Sequence, residues 1–431
     1  MLCKRYFPVA AALLLALGGC HQPPPREKQP PVRLTNPGGF AQPDAAVVIR
    51  REEWERSRQE IADNAVLVFR DSAGQPVPSQ LDDLDGDGRW DEIALLYAFA
   101  PRQQVGLFYD WVDSAQAPVF PKRTHIYLGK WDSLARKYIP LQSEDRPTDH
   151  HRQLSGTFLY QMEGPTWEND RIAFRQYLDE RNQKDIYGKR ISRMYLENIG
   201  APGTPSYHEL HDWGMDILAV GNSLSAGGLG LRYRDTLYAL GPSETAHVDM
   251  LADGPVRSVL RISQTGFHVA DTAFALSETI SIWAGVSGYG SAVTLQGPLD
   301  SAELLTGVPD LKEGLSPLNE NYGNFGAYGT YGRQSENGDN LGMAVVFPNA
   351  ELAGKGRAAR APVDRPGLFN TFYVRLKSEP QPVRFYFYAG WEQSDKRFAT
   401  RAGFAAYVKE QAARLNNPIL VEISRKGNTH L

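Results

Sequence analysis

TFYVRLK, at Thr371–Lys377, sets Phe372, Val374 and Leu376 against Tyr373, Arg375 and Lys377. Side chains on a strand point alternately to its two faces, so this stretch reads as a strand with one apolar and one polar face. The same pattern runs through its neighbours. RFYFYAGW at Arg384–Trp391 alternates in the same way. VRSVLRI at Val256–Ile262 puts Leu260 and Ile262 on one face and Arg257 and Arg261 on the other. ETISIW at Glu278–Trp283 sets Glu278, Ile280 and Ile282 against Thr279, Ser281 and Trp283. Period two over this many segments predicts a mainly β protein of antiparallel sheets, each with one face buried. One helix is expected, because Phe404, Tyr407, Val408 and Leu415 keep helical spacing before Asn417-Pro418 stops it. Gly- and Tyr-rich NYGNFGAYGTYG, Asn321–Gly332, has no helical period and reads as a long loop. The main domain is expected over residues 150–425.

Moving toward the N-terminus, Trp131–His151 carries scattered charge and two prolines and reads as a boundary. Before it, VVIR at Val47–Arg50, NAVLVFR at Asn64–Arg70, IALLYAF at Ile93–Phe99 and THIYLG at Thr124–Gly129 predict a small β unit over residues 46–130. The seven prolines between His21 and Ala46 predict an extended tether over 20–45. Lys4 and Arg5 precede an apolar run, Val9–Leu17, that is too short to span a membrane, so residues 1–19 read as a signal peptide. Leu17-Gly18-Gly19-Cys20 resembles a bacterial lipobox, which implies cleavage before Cys20 and its acylation. His21 rather than Asp follows, so an outer-membrane, lipid-anchored protein of a Gram-negative bacterium is expected. Cys3 and Cys20 are the two cysteines, which leaves no disulfide or thiolate chemistry to the mature chain. Loss of Lys4 and Arg5 takes the formal charge from −4 to −6 (−4 minus 2). A mildly acidic chain without a basic run is a poor nucleic-acid binder, since phosphate contacts need clustered Lys and Arg.

LDDLDGDGRWDE at Leu81–Glu92 places Asp83, Asp85, Asp87 and Asp91 at positions 1, 3, 5 and 9 of a calcium-loop pattern, with Gly88 at the tight turn. Ala94 stands where the bidentate Glu belongs. The Asp-Gly pairs would equally make an acidic β-turn, so structural calcium and a solvated turn both stand. No cofactor is required by any other motif.

Chemistry concentrates in Glu163–Asp216, which gathers carboxylates, arginines, histidines and tryptophans more densely than a core needs. In WENDRIAFRQY, Trp167 offers a flat face for a sugar ring, and Glu168, Asn169, Asp170 and Arg171 offer hydroxyl or carboxylate partners. Arg171 and Arg175 fall on one face of the strand and could grip an anionic sugar, or equally form an ion-pair lattice. YHELHDWGMD holds His208, Glu209, His211, Asp212, Trp213 and Asp216. It is not HExxH, and a zinc site would lack an evident third ligand. General acid–base work by a histidine beside a carboxylate fits better, although both histidines could be structural. GNSLSAGGLGL, Gly221–Leu231, matches neither a P-loop nor a dinucleotide fingerprint, and no GxSxG nucleophile elbow occurs.

WENDRIAFR, DIYGKR and YHELHDWGMDILAVGNSLSAGGLGL, with PVPSQLDDLDGDGRWDE before and GPVRSVLRI, LLTGVPDL and AGWEQSD after, resemble a family of bacterial secreted and lipid-anchored proteins of unknown function found with polysaccharide-utilisation systems. The resemblance implies a galactose-mutarotase-like β-supersandwich and an oligosaccharide or polysaccharide substrate. The resemblance narrows the substrate class more than the reaction; the Arg171 and Arg175 pair beside His208, His211 and Tyr187 is what leads to the expectation of an enzyme acting on uronate-containing oligosaccharides by elimination (lyase or dehydratase-like). Arg171 and Arg175 would clamp the carboxylate, His208 or His211 would be the base, and Tyr187 or Lys189 the acid or charge stabiliser. Trp167 and Trp213 would stack on sugar rings. Two alternatives remain: a glycosidase using two of Glu163, Glu168, Glu209 and Asp216, and a glycan-binding lipoprotein without turnover.

Overall fold

The computed structural model describes residues 31–57, 59, 61–62, 65–146 and 158–425. The expected signal peptide, Cys20 and the first part of the tether lie outside the described residues.

The alternating segments form the body of the fold. A nine-stranded antiparallel sheet runs in the order Ser143–Arg146, Thr245–Asp253, Arg257–Val269, Thr272–Trp283, Gly288–Gln296, Val383–Trp391, Asn340–Pro348, Phe325–Arg333 and Ser316–Tyr322. Two five-stranded sheets contribute to the same core. One runs Gly214–Asp216, Lys184–Lys189, Ile172–Gln176, Thr166–Asn169 and Thr124–Tyr127. The other runs Thr236–Ala239, Leu229–Tyr233, Ala302–Pro309, Thr371–Lys377 and Leu352–Arg357. Phe174 and Ile186, Ile280 and Phe387, and Leu304 and Val374 come from the three sheets into one core, which makes the architecture a supersandwich. The faces follow the alternation: Phe372, Val374 and Leu376 are buried, and so are Phe385, Phe387 and Trp391. Glu278 is also inward, neutralised by Lys184.

The helix forms as Arg401–Asn416, capped by the Thr400 hydroxyl, which accepts from the Gly403 amide (3.1 Å). It packs Phe404, Tyr407 and Val408 on the outer face of the nine-stranded sheet.

Three sequence expectations are corrected. Asn321–Gly332 is not a loop but most of a hairpin, Ser316–Tyr322 paired with Phe325–Arg333, turned at Gly323 with φ of +71°. Its glycines let neighbouring backbones approach: a Cβ on Gly329 would lie 2.0 Å from the Met343 carbonyl. The tether region is folded from Val32, because Val32–Thr35 is a strand whose Val32 and Leu34 are fully buried. Thr124–Tyr127 and Ser143–Arg146 belong to the sheets of the main body, so neither the 46–130 unit nor the 131–151 boundary holds as drawn. The N-terminal unit instead takes its outermost strand from the far end of the chain, Leu420–Ile423, paired with Val32–Thr35. Its own core is built around Trp54, Phe69, Ile93 and Leu107.

Candidate active site on the polar face of the 124–216 sheet

Register decides what the central stretch does. Trp167 pairs with Ile126 and Phe174, and Phe174 with Ile186, so one face of the sheet is apolar and enters the main core. Glu168 pairs with His125 and Ala173, Arg175 with Thr166 and Asp185, and Tyr187 with Ala173 and Asp216. The opposite face is therefore a lattice of polar side chains. The segment that follows it in the chain covers part of that lattice, laying Leu196, Ile199 and Trp213 against Ala173 and Tyr187.

The cover reassigns several expected site residues. Trp167 is fully buried, stacked on Phe174 (centroids 5.8 Å apart, 22° between planes), and presents no ring to a sugar. Trp213 is covered by Tyr195 at 5.3 Å. Glu168 and Lys189 pair with each other in the interior. Glu168 also accepts from the Tyr195 and Leu196 amides (2.7 and 2.8 Å), and Lys189 donates to the Asn169 carbonyl (2.7 Å), so the pair fastens the covering segment to the sheet. Burial lowers the Lys189 ammonium from its ordinary value, against the pull of Glu168. Asn169 donates to the Trp283 and Val286 carbonyls (both 2.6 Å), and Asp170 accepts from Arg123 and from the Gly285 amide. Both are structural. The Arg171–Arg175 clamp does not form: Arg171 is exposed before its strand begins, whereas Arg175 lies beneath the cover, 1% exposed.

Arg175 is the centre of what the structure does assemble. It donates to Asp185 (2.8 Å), Tyr207 (3.2 Å) and the Met162 carbonyl (3.0 Å), and also to the Tyr177 hydroxyl. Glu163 and Asp216 lie 3.7 and 3.6 Å from it. Arg181 closes the outer side, bonding Glu163 (2.7 Å) and Asp179. Burial and the neighbouring Asp185 push the Asp216 carboxyl well above the usual carboxylate range.

His208 stands at the solvent side of this cluster. Its Nδ1 is 3.5 Å from Asp216 Oδ2, its ring is 4.4 Å from that of Tyr207, and its side chain is 64% exposed. Partial burial and the Arg175 charge hold it below the ordinary histidine value, which keeps it neutral and able to accept a proton near neutrality. His211 faces elsewhere, its Nε2 on the Ser206 carbonyl (2.7 Å), and Glu209 and Asp212 are exposed. Tyr187 is fully buried with no partner for its hydroxyl among the described residues, so the tyrosine within reach of solvent beside His208 is Tyr207. Asp185, Tyr177, Tyr207 and Arg181 escaped the sequence reading. The Arg175–Asp185 pairing was available in principle, since two alternating strands joined by a short turn place them opposite each other.

A family model described as a domain of unknown function (DUF4861) matches residues 34–421. The chain belongs to that family. Among related proteins, the DUF4861 chain is 26% identical over 284 residues to a protein of Formosa agariphila called uncharacterized protein P7, covering 60% of this chain and 66% of that one. Two solved structures from Enterococcus faecalis share 9% identity with it: a protein in glycosyl hydrolase family 38 (TM-score 0.42, 94% of this chain and 48% of that one) and an α-mannosidase (TM-score 0.39, 92% and 46%). This chain thus spans about half the length of either structure.

Away from the cluster, the 83–91 loop of the DUF4861 chain brings carboxylate oxygens of Asp83, Asp85 and Asp91 within 4.8 Å of one another, with Asp87 outside the group. Those three could hold a hard cation. Their oxygens also serve the turn itself, Asp83 accepting from Gly86 and Gly88 (2.7 and 2.9 Å) and Asp91 from Leu84 (2.6 Å).

Proposed function

We propose that the chain is a carbohydrate-active enzyme that cleaves uronate-containing oligosaccharides by β-elimination, with His208 as base and Tyr207 as acid. The observation that carries this reading is the placement of a neutral, solvent-facing His208 over Asp216 and against Tyr207, whose hydroxyl is held by Arg175. With Nδ1 facing Asp216, the Nε2 of His208 is free to take the proton α to the substrate carboxylate. The C–H electron pair forms the new double bond, and the bond to the leaving oxygen breaks. That oxygen takes the Tyr207 proton, and the tyrosinate left behind is stabilised by the Arg175 guanidinium. Solvent returns the proton from His208 to Tyr207. Asp185 and Asp216 act as positioning residues under the histidine. Arg190, which makes no ion pair among the described residues and donates to the His211 carbonyl (3.3 Å), is a candidate cation for the substrate carboxylate.

The placement of Asp185 and Asp216 together against Arg175, with the Asp216 carboxyl raised by burial and by Asp185, favours a second reading, hydrolysis by a carboxylate pair. Incubation with uronate-rich algal and plant oligosaccharides, followed by absorbance and mass spectrometry, separates the two. Elimination yields an unsaturated, ultraviolet-absorbing end and fragments whose masses sum to the substrate. Fragments whose masses sum to substrate plus one water would transfer the chemistry to the acids, and binding without a change of mass would withdraw both. The lipid anchor at Cys20, with outer-membrane placement, completes the proposal, as does structural calcium at Asp83, Asp85 and Asp91. For the anchor, Cys20→Ala is expected to move the protein from the membrane to the soluble fraction.

A further inference from the structure

On the outer face of the nine-stranded sheet, a cleft of about 470 Å³ lies between the N-terminal unit and the helix Arg401–Asn416. It exists because one strand presents almost no side chains there. Gly288, Gly290 and Ala292 point outward from Gly288–Gln296, while Tyr289, Ser291 and Val293 fill the core behind. The flanking strands rise on either side as aromatic walls, Trp283 on one and Tyr386 and Tyr388 on the other. Small residues of the N-terminal unit, among them Ala46, and Leu415 of the helix overhang it.

The covers that frame the cleft are fastened. Arg123 joins Asp44 of the N-terminal unit (2.6 Å) to Asp170 of the main body (2.7 Å), and Arg257 bonds Glu92 at 2.7 Å. On the other side Tyr407 accepts from the Ser287 amide (2.6 Å). A gap held open between two anchored covers is a pre-formed pocket of the size that takes a small ligand.

Some of its polar groups lack partners, whereas Gln42, Ser291 and Arg414 are bonded elsewhere. Tyr388 is 4% exposed, yet neither its hydroxyl nor that of Tyr386 has a hydrogen bond among the described residues. Arg384, at the end of the same wall, makes no ion pair among the described residues; its guanidinium donates only a long bond to the Pro382 carbonyl (3.4 Å), and the Glu351 carboxylate accepts from its backbone amide (3.4 Å). Asp44, the acid in the lining, is already neutralised by two bonds from Arg123 (2.6 and 2.9 Å). Aromatic walls suit the C–H face of a sugar ring, phenol hydroxyls suit its hydroxyls, and an unpaired guanidinium suits a carboxylate. We infer that this cleft is a second glycan site, binding a single acidic sugar residue with its carboxylate on Arg384. The inference stands apart from the catalytic reading, since the main core separates the two sites.

Calorimetric titration with sodium glucuronate, with glucose as the uncharged comparison, tests it. Wild-type protein is expected to bind glucuronate saturably at millimolar concentration and glucose about tenfold more weakly or not at all. Arg384→Gln should abolish that preference. Gly290→Leu should abolish binding by filling the floor, because a Cβ there meets the Tyr386 ring at an ordinary 3.4 Å and the backbone is unstrained. His208→Ala and Asp216→Asn should bind as wild type does, whatever happens to turnover. No binding by wild type, binding that survives both Gly290→Leu and Arg384→Gln, or binding lost in His208→Ala would each overturn the inference. Should Gly290→Leu unfold, the exposed Arg384→Gln alone decides.

Discussion

His208 is the residue on which the chemistry turns, and its environment dictates a pH profile. A general base works only when neutral, so the rate is full above its pKa and is lost as the pH falls through it. Burial and Arg175 lower that value from 6.5, so the acid limb of kcat/KM is expected below 6.5. A limb at or above 6.5 would assign the base to another group. His208→Ala is expected to cost roughly 100-fold or more in kcat with an unchanged melting temperature, since its exposed side chain packs on little besides Tyr207. A second residue-scale prediction concerns stability. Lys184 bonds both oxygens of Glu278 (2.7 and 2.9 Å) inside the main core, and Ser291 adds a third bond at 2.6 Å. Lys184→Met leaves a buried carboxylate without its cation and should cost about 3–5 kcal/mol in urea titration. Lys184→Met with Glu278→Gln should recover part of that loss, and a double variant as unstable as the single would contradict the pairing.

At the scale of the element, the five-stranded sheet and its cover behave as one device. Glu168 holds the amides of Tyr195 and Leu196, and the covering segment carries Tyr207 and His208 to the edge of the Arg175 cluster. Glu168→Gln should therefore quicken hydrogen exchange at those two amides and lower kcat more than it raises KM, because it loosens a support and touches no substrate. Unchanged exchange with lost activity would instead make Glu168 catalytic. This is also where sequence reading reaches its limit. Alternation in TFYVRLK and RFYFYAGW shows the core-facing residues directly, because burial by a facing sheet repeats every second residue. It shows equally that Arg175 and Ala173 share a face. It cannot show that an aperiodic segment folds back over that face, which turns Glu168, Lys189 and Tyr187 from surface groups into interior ones. Trp167 misled for the opposite reason: flanked by charges, it lies on the apolar face by register alone. The Ser316–Arg333 hairpin was obscured by glycines that serve close backbone approach, and Val32 and Leu34 by the prolines around them.

At the scale of the whole molecule, the two ends of the chain meet in one sheet. Val32–Thr35 lies between Gln104–Val112 and Leu420–Ile423, so the N-terminal unit is finished only when the last strand arrives. Ile419, Val421 and Ile423 pack against the core around Trp54. Deleting residues 418–431 removes that strand while leaving the helix Arg401–Asn416 and its Asn417 cap in place. It exposes the edge of Val32–Thr35 and strips apolar cover from the unit's core, with nothing removed from the Arg175 cluster. The expected result is a separate, lower-temperature transition in calorimetry and early proteolysis within residues 31–112, while turnover at His208 persists below that transition. Because Asp44 and Ala46 of the same unit, and Pro418 and Ile419 of the deleted segment, line the cleft over Gly290, this variant should bind glucuronate more weakly than wild type even below that first transition. A single cooperative transition at the wild-type temperature would show that the terminal strand contributes nothing to the unit. Loss of turnover at that first transition would show that the Arg175 cluster shares one folding unit with the N-terminal sheet.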